Sequence, residues 1–302
     1  MQVEVKENYS IKNLTSFKIG GVVENLYFPT TQQEFVYLLK TLKNPIVVGS
    51  WSNVLVSDVG IKGDVISTAK LNTIDIKGTK VTADAGVKGP ALSQKVLEHS
   101  LSGFEFMIGF PGSVGGNVYM NAGAHGQTIS DYLVSVCVFD LKKKEVLVLN
   151  KEDLKFSYRT SILQKKPYVV LSVEFDLVKK SKEQIEDLIK RNLEFRKTHQ
   201  PLLSTPNAGS VFKNPENDSA GRLLDKAGVK EFTVGGAKVW DGHANFIVNN
   251  ENASSSDVLE LMFKMYNAVK DKYTINLRPE IRYMGEKTQR EEEICNTLYN
   301  QN

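Results

Sequence analysis

Residues Ile108 to Gly126 read Ile-Gly-Phe-Pro-Gly-Ser-Val-Gly-Gly-Asn-Val-Tyr-Met-Asn-Ala-Gly-Ala-His-Gly. Six glycines, two alanines and one serine leave little side-chain volume there. Backbone N–H groups can therefore approach something large and anionic, as a pyrophosphate requires. Neither common phosphate loop is present: there is no Gly-x-x-x-x-Gly-Lys-Ser/Thr, and no Gly-x-Gly-x-x-Gly between a strand and a helix. Gly112, Gly115 and Gly116 taken as isolated glycines would signal tight turns or close core packing. A run this dense, with the amides of Asn117 and Asn121 inside it, points to a ligand.

The stretch resembles the flavin-binding signature of the UDP-N-acetylenolpyruvoylglucosamine reductase family, Pro-Gly-[Ser/Thr]-Val-Gly-Gly followed by Met-Asn-Ala-Gly-Ala. Pro111 to Gly116 and Met120 to Ala124 match it position for position. The resemblance implies FAD as cofactor, held here by Pro111, Gly112, Ser113, Gly115, Gly116, Asn117, Asn121, Ala122, Gly123 and Ala124. A second loop, Gly49-Ser-Trp-Ser-Asn-Val-Leu55, is a polar turn between the apolar strands Ile46 to Val48 and Val54 to Val56, and such turns gather ligands at sheet ends. It is similar to the family's other flavin-contacting loop, which adds Gly49, Ser50, Trp51, Ser52, Asn53, Val54 and Leu55 to the FAD residues. Trp51 stands where the family normally has glycine.

Further motifs follow in the family's order. Phe156-Ser-Tyr-Arg-Thr-Ser161 resembles its Tyr-Arg-x-Ser, which implies that Arg159 orients the substrate carboxylate beside Tyr158; a guanidinium fork suits that task. On its own, Arg159 reads as a surface ion-pair residue. Gly209-Ser-Val-Phe-Lys-Asn-Pro215 resembles the motif that places a proton-donating serine, here Ser210, with Asn214 at a substrate-binding position. A proline-flanked asparagine is also a routine turn former. His243-Ala-Asn-Phe-Ile-Val-Asn249 adds His243 as a substrate residue, and Arg278-Pro-Glu-Ile-Arg282 adds Glu280 as the catalytic carboxylate. His243 has no histidine or acid at metal-ligand spacing, so no metal is expected. No local periodicity brings Arg159, Ser210 and Glu280 together; their convergence is what the resemblance implies. The short interval between Arg159 and Ser210 resembles the class lacking the substrate-capping tyrosine loop. His199 lies near a position where some members carry a lysine for the diphosphate.

Composition agrees with an ordinary soluble globular protein. The chain has 302 residues, 41% hydrophobic and 24% charged, enough for several compact cores. A net charge of +3 with scattered basic residues gives no case for nucleic acid, and Lys142 to Lys144 reads as a solvated hairpin tip. No stretch approaches the roughly 18 apolar residues of a membrane helix. The N-terminus lacks an apolar signal-peptide core, and two cysteines, Cys137 and Cys295, suit a reducing compartment. A cytoplasmic monomer is expected.

Secondary-structure signals interleave short strands with few helices, which argues for α+β. Thr31-Gln-Gln-Glu34 is a capping box ahead of Phe35, Leu38, Leu39 and Leu42, and Pro90 sits at a helix first turn. Leu133 to Phe139, Val146 to Leu149 and Tyr168 to Val178 read as strands, as does Thr274 to Leu277. Ser181 opens a helix with Ile185, Leu188, Ile189, Leu193 and Phe195 on one face, taken as the entry to a further unit. Ser254 or Ser255 caps another, with Val258, Leu261, Met262, Met265 and Val269 inward. The expected organisation is an FAD-binding fold of the type shared with sugar and alcohol flavo-oxidases, with subdomains 1–70 and 71–180. A substrate domain, 181–286, and a frayed tail, 287–302, follow.

On this resemblance NADPH reduces FAD, leaves, and is replaced by the enolpyruvyl ether of a UDP-sugar. A sugar or alcohol oxidase of the same fold stays open as an alternative, with His125 the candidate flavin tether, as does a non-catalytic flavin- or nucleotide-sugar-binding module.

Overall fold

A computed structural model describes residues 3–300. Its contacts divide the chain into two compact units. One comprises the residues through Lys6, Leu26–Ser50 and Asp64–Arg196; the other comprises Glu7–Asn25, Trp51–Gly63 and the chain from Lys197 onward.

In the first unit, α1 (Gln32–Thr41) starts where the capping box predicts: the Thr31 hydroxyl accepts from the Glu34 N–H, and the Glu34 carboxylate accepts from the Thr30 N–H at 2.7 Å. Phe35, Leu38 and Leu39 pack with Ile66, Leu71, Phe139 and Leu171. A five-stranded antiparallel sheet follows the order Glu145–Asn150, Leu133–Asp140, Tyr168–Asp176, Lys80–Asp84, Ile74–Lys77. Its inward residues Val136, Val138, Val173 and Phe175 share one cluster with Leu92 and Val96 of α2 (Gly89–Glu98) and Val114 and Val118 of α3 (Val114–Met120). Alternate strand residues point to one face, so period-two patterning fills that cluster. Phe104 packs edge-on against Phe175, ring centroids 4.8 Å apart. Lys142 to Lys144 form the hairpin tip, where Asp140 Oδ1 accepts the N–H groups of Lys142 and Lys143 at 2.8 and 3.0 Å.

The helix opened by Ser181, α4 (Lys182–His199), has the reciprocal Ser181–Gln184 box, but of its expected apolar face only Ile185 is buried. Leu193 and Phe195 are 40% and 49% exposed. Through Arg196 the helix belongs to the first unit.

The second unit is built on a core that contains Leu223 and Leu224 of α5 (Ala220–Lys226) and the inward stripe Val258, Leu261, Met262, Met265 and Val269 of α6 (Ser255–Tyr273). Ser254, not Ser255, caps α6, in a reciprocal box with Asp257. The strand expected at Thr274 to Leu277 is absent. Thr274 instead terminates α6 at φ +58°, and Arg282–Met284 is the strand, pairing in parallel with Val54–Val56. The expected tail is likewise corrected: α7 (Gln289–Tyr299) is boxed by Thr288 and Glu291 and buries Ile294, Cys295 and Leu298 in the same core. Burial pushes the Cys295 thiol up to about 11. The last two residues of that expected tail lie outside the described ones.

Candidate active site

In the first unit the glycine-rich stretch lies along residues 85–89. Gly89 N–H donates to Gly112 O (2.9 Å), Val114 N–H to Val87 O (2.8 Å) and Gly115 N–H to Ala85 O (2.9 Å). Several glycines are dictated by this packing. A Cβ on Gly115 would lie 3.1 Å from the Ala85 carbonyl, and one on Gly86 would overlap the carbonyl of Thr68. Gly49 comes from the other loop, and a Cβ there would overlap Ser113 Oγ, so the two loops meet at these residues. Gly116 differs: it is exposed, and an added Cβ would make only an ordinary 3.4 Å contact. Packing does not require glycine there, which leaves the open surface beside Ser113 without a side chain. Ser113 Oγ accepts from the Gly116 N–H at 3.3 Å and caps α3.

Asn117 is buried with no partner for Nδ2. Asn121, at φ +44°, ends α3; its Nδ2 donates to Ser157 O at 2.9 Å, and its Oδ1 is buried without a partner. Buried side-chain amides are ordinarily satisfied, so these atoms call for a ligand carrying both donors and acceptors. FAD has both, and the small-residue surface suits its pyrophosphate; the residues present fit it. Ala122 donates its N–H to Asn117 O (2.8 Å), and Gly123–Ala124 pairs with Gln127–Thr128 across His125 and Gly126, both at positive φ as a two-residue hairpin turn demands. Pro111 is exposed at the entry of the stretch. His125 sits at this turn with its ring edge-on to Phe195, and burial lowers its pKa.

Tyr158 and Arg159 occupy a tight turn closed by reciprocal Ser157–Thr160 hydrogen bonds of 3.1 Å. Arg159 is held at φ +52°, its guanidinium donates to Gly123 O at 3.1 Å, and it lies over the Tyr158 ring. Ser161 Oγ donates to Tyr119 O at 2.7 Å. The arginine turn is thereby docked on the end of the glycine-rich stretch.

In the second unit Ser210 and Glu280 come together on one short ladder. Ser210 bridges Phe246, Phe212 bridges Pro279, and Glu280 N–H donates to Val211 O at 2.8 Å. Asn245, 3% exposed, clamps this ladder: its Oδ1 accepts from Phe212 N–H (2.9 Å) and its Nδ2 donates to Phe212 O (2.8 Å). Asn53 Nδ2 donates to Glu280 O at 3.1 Å, and Arg282 N–H donates to Asn53 O at 3.1 Å, so the Ser52–Asn53 turn holds the glutamate segment. Ser52 in turn accepts from Ser16 Oγ (3.2 Å), while Val54 and Leu55 enter the parallel strand pair. Ser50 lies in the first unit beside Gly49.

His243 packs its ring on Gly221 and edge-on to Phe246. Its Nδ1 accepts from Asn245 N–H at 3.1 Å, and burial, with Lys230 nearby, lowers its pKa, so it is a neutral ring. Asn214 Oδ1 accepts from Ala220 N–H at 3.0 Å and anchors the start of α5. Asn245 and the wall formed by residues 85–89 are the site components that sequence reading missed. The His-Ala-Asn motif was the only local signal for the first, and the Gly86 to Gly89 cluster for the second. Among the described residues no group of three histidines, cysteines or acids is placed to hold a metal, and no helix is long and apolar enough to cross a membrane.

Trp51 is 5% exposed, sits at φ +53°, and has no partner for its indole Nε1. Left-handed backbone costs a non-glycine residue roughly 1–2 kcal/mol, so glycine would suit this position better.

Two family models match the chain. "UDP-N-acetylenolpyruvoylglucosamine reductase, C-terminal domain" covers residues 200–284, and "FAD binding domain" covers residues 24–150. The UDP-N-acetylenolpyruvoylglucosamine reductase of Caldanaerobacter subterraneus subsp. tengcongensis is 39% identical over 284 residues, 93% of each chain. That of Bacillus subtilis is 40% identical over 288 residues, 93% of this chain and 94% of its own. The crystal structure of the Thermus caldophilus reductase superposes with a TM-score of 0.80 at 35% identity, covering 94% of this chain and 99% of that one. Physcomitrella patens BBE-like 1, at 10% identity and a TM-score of 0.51 over 89% of this chain and 86% of its own, shares the fold alone. The α+β FAD-binding fold is thus the one the glycine-rich stretch implied.

Proposed function

Because the chain belongs to the UDP-N-acetylenolpyruvoylglucosamine reductase family, we propose that it reduces the enolpyruvyl group of UDP-N-acetylglucosamine enolpyruvate to UDP-N-acetylmuramate, with NADPH as reductant, in peptidoglycan biosynthesis. FAD, when bound, relays a hydride from NADPH to C3 of the enolpyruvyl group. FAD binding is assigned chiefly to the stretch 24–150 and substrate binding chiefly to 200–284, with Tyr158 and Arg159 contributed from outside both, an assignment supported by the extents of the two matching family models.

The difficult part for the protein is the negative charge that hydride delivery builds at C2 and in the adjoining carboxylate. Arg159 engages that carboxylate with its fixed fork, and its left-handed turn and bond to Gly123 O limit where the guanidinium can go. Tyr158, Asn214 and His243 contact substrate, His243 as a neutral ring. Glu280 stabilises the enolate-like charge as an acid or through an ordered hydrogen bond, and Ser210 donates its hydroxyl proton to C2. The observation that carries this reading is the ladder through Val211 and Phe212, which fixes Ser210 and Glu280 on adjoining segments although they are far apart in sequence. The protein acts as a monomer, and in the cytoplasm, the latter reading being the one its two free cysteines favour.

The test is Ser210→Ala. The variant keeps its yellow FAD and oxidises NADPH, while turnover of the enolpyruvyl UDP-sugar falls by roughly 10²–10⁴. Unchanged turnover removes Ser210 from the reaction.

A further inference from the structure

The main chain around Glu280 is held from two directions. Glu280 N–H donates to Val211 O and Glu280 O accepts from Asn53 Nδ2, within the ladder and turn described above. The next carbonyl is held from elsewhere: the Tyr299 hydroxyl, in the last turn of α7, donates to Ile281 O at 2.9 Å, and Ile281 is fully buried. All of these residues lie in the second unit. The bond is not what docks the helix. The buried Glu291 carboxylate anchors the start of α7 by accepting from the hydroxyls of Ser255 and Ser256 at 3.2 and 2.9 Å, and Ile294, Cys295 and Leu298 enter the core along its length. Burial raises the pKa of the Tyr299 phenol, which therefore keeps its proton and stays a donor. The helix also lies beyond residues 200–284, the extent of the matching C-terminal family model.

We propose that Tyr299 is a positioning residue for Glu280: its hydroxyl fixes the carbonyl that follows the glutamate, and with it the aim of the Glu280 carboxyl group at the charge that develops on the substrate. A group that stabilises transition-state charge acts best when it is already aligned, and a segment held at Glu280 N–H, Glu280 O and Ile281 O has little freedom to swing. The proposal rests on the function given above, and the two fail separately: a wild-type chain that the enolpyruvyl substrate does not reoxidise refutes the function, whereas a Tyr299→Phe chain as fast as wild type refutes only the positioning role.

The experiment follows flavin reduction by NADPH and reoxidation by the enolpyruvyl UDP-sugar separately, by stopped flow without oxygen, on the FAD-loaded full chain. Tyr299→Phe keeps the ring and removes the hydroxyl. Reduction is expected to stay within about twofold of wild type, while reoxidation at saturating substrate slows about tenfold with a half-saturating concentration within about twofold, the split expected of a misaimed catalytic group. Added to Glu280→Gln, the same substitution is expected to leave the residual reoxidation rate unchanged, because Tyr299 acts through Glu280. Reoxidation of Tyr299→Phe within about twofold of wild type, or an equal loss in both backgrounds as general loosening would give, overturns the proposal. If Tyr299→Phe does not fold, Ile294→Ala takes its place: it keeps the hydroxyl but loosens the helix that carries it. The same selective slowing, absent in the Glu280→Gln background, is expected; an unchanged rate, or a loss equal in both backgrounds, overturns the proposal.

Discussion

Replacing Asn245 by alanine removes the clamp on the ladder that carries Ser210 and Glu280. The side chain makes a 2.9 Å bond from Phe212 N–H and a 2.8 Å bond to Phe212 O, and Phe212 is itself 1% exposed. Alanine leaves both main-chain groups of Phe212 buried without these partners. Each such group costs about 1–3 kcal/mol, so the loss is about 2–6 kcal/mol, the upper part applying if no water reaches the gap. At about 2–4 °C per kcal/mol for a unit of this size, the thermal midpoint falls by about 4–24 °C. The functional effect is separable. The wall of residues 85–89 and the glycine-rich stretch are untouched, so the variant still binds FAD and oxidises NADPH. Turnover of the enolpyruvyl substrate falls, because Ser210 is next to Val211 and Phe212, whose register is loosened. The assay is calorimetry alongside the two half-reactions in stopped flow. A midpoint within 2 °C of wild type with unchanged turnover would refute the claim that this buried amide holds the ladder.

Gly49→Ala forces its methyl group against Ser113 Oγ; it is expected to destabilise by about 1–3 kcal/mol and to weaken FAD binding, and adding Ser113→Ala should recover part of the loss, a double-mutant coupling read by denaturant titration. His243 has a folded pKa below its unfolded value because it is buried near Lys230. Its contribution to stability is therefore complete above about pH 6.5 and declines as pH falls toward the lowered value; His243→Gln should flatten the stability profile between about pH 5 and 7, and an unchanged profile would show that this ring does not titrate with unfolding. Ile294→Ala, in α7, should cost about 2–5 kcal/mol as a core truncation, whereas a loss under about 0.5 kcal/mol would mean that the C-terminal helix is peripheral after all.

The parts of this molecule that were legible in sequence are those fixed by local chemistry. The capping boxes at Thr31 and Ser181, Pro90 in the first turn of α2, and the spacing of Val258, Leu261, Met262, Met265 and Val269 each specify an element through neighbours a few residues away. Thr274 to Leu277 misled because apolar alternation over so short a run does not show whether a sheet partner exists, and the left-handed Thr274 ends a helix instead. The C-terminal helix was hidden by its composition: its acidic run looks like a solvated tail, and only the Thr288–Glu291 box marks the start of a helix that buries Ile294 and Leu298. At the site, the glycines were visible but not their separate causes. Gly86 is required by a carbonyl of a distant residue, Gly49 by a serine on another loop, and Gly116 by neither. The ladder joining Val211 to Asn245 and Glu280 is wholly non-local, and no periodicity reports pairings across such separations.

A visible absorption spectrum followed through one reductive and one oxidative step, without oxygen, decides whether this chain is a flavin-dependent reductase of an enolpyruvyl UDP-sugar. The purified protein should be yellow, bleach on addition of NADPH, and regain its colour when UDP-N-acetylglucosamine enolpyruvate is added. A colourless protein, or a bleached one that recovers only when air is admitted, would contradict the account.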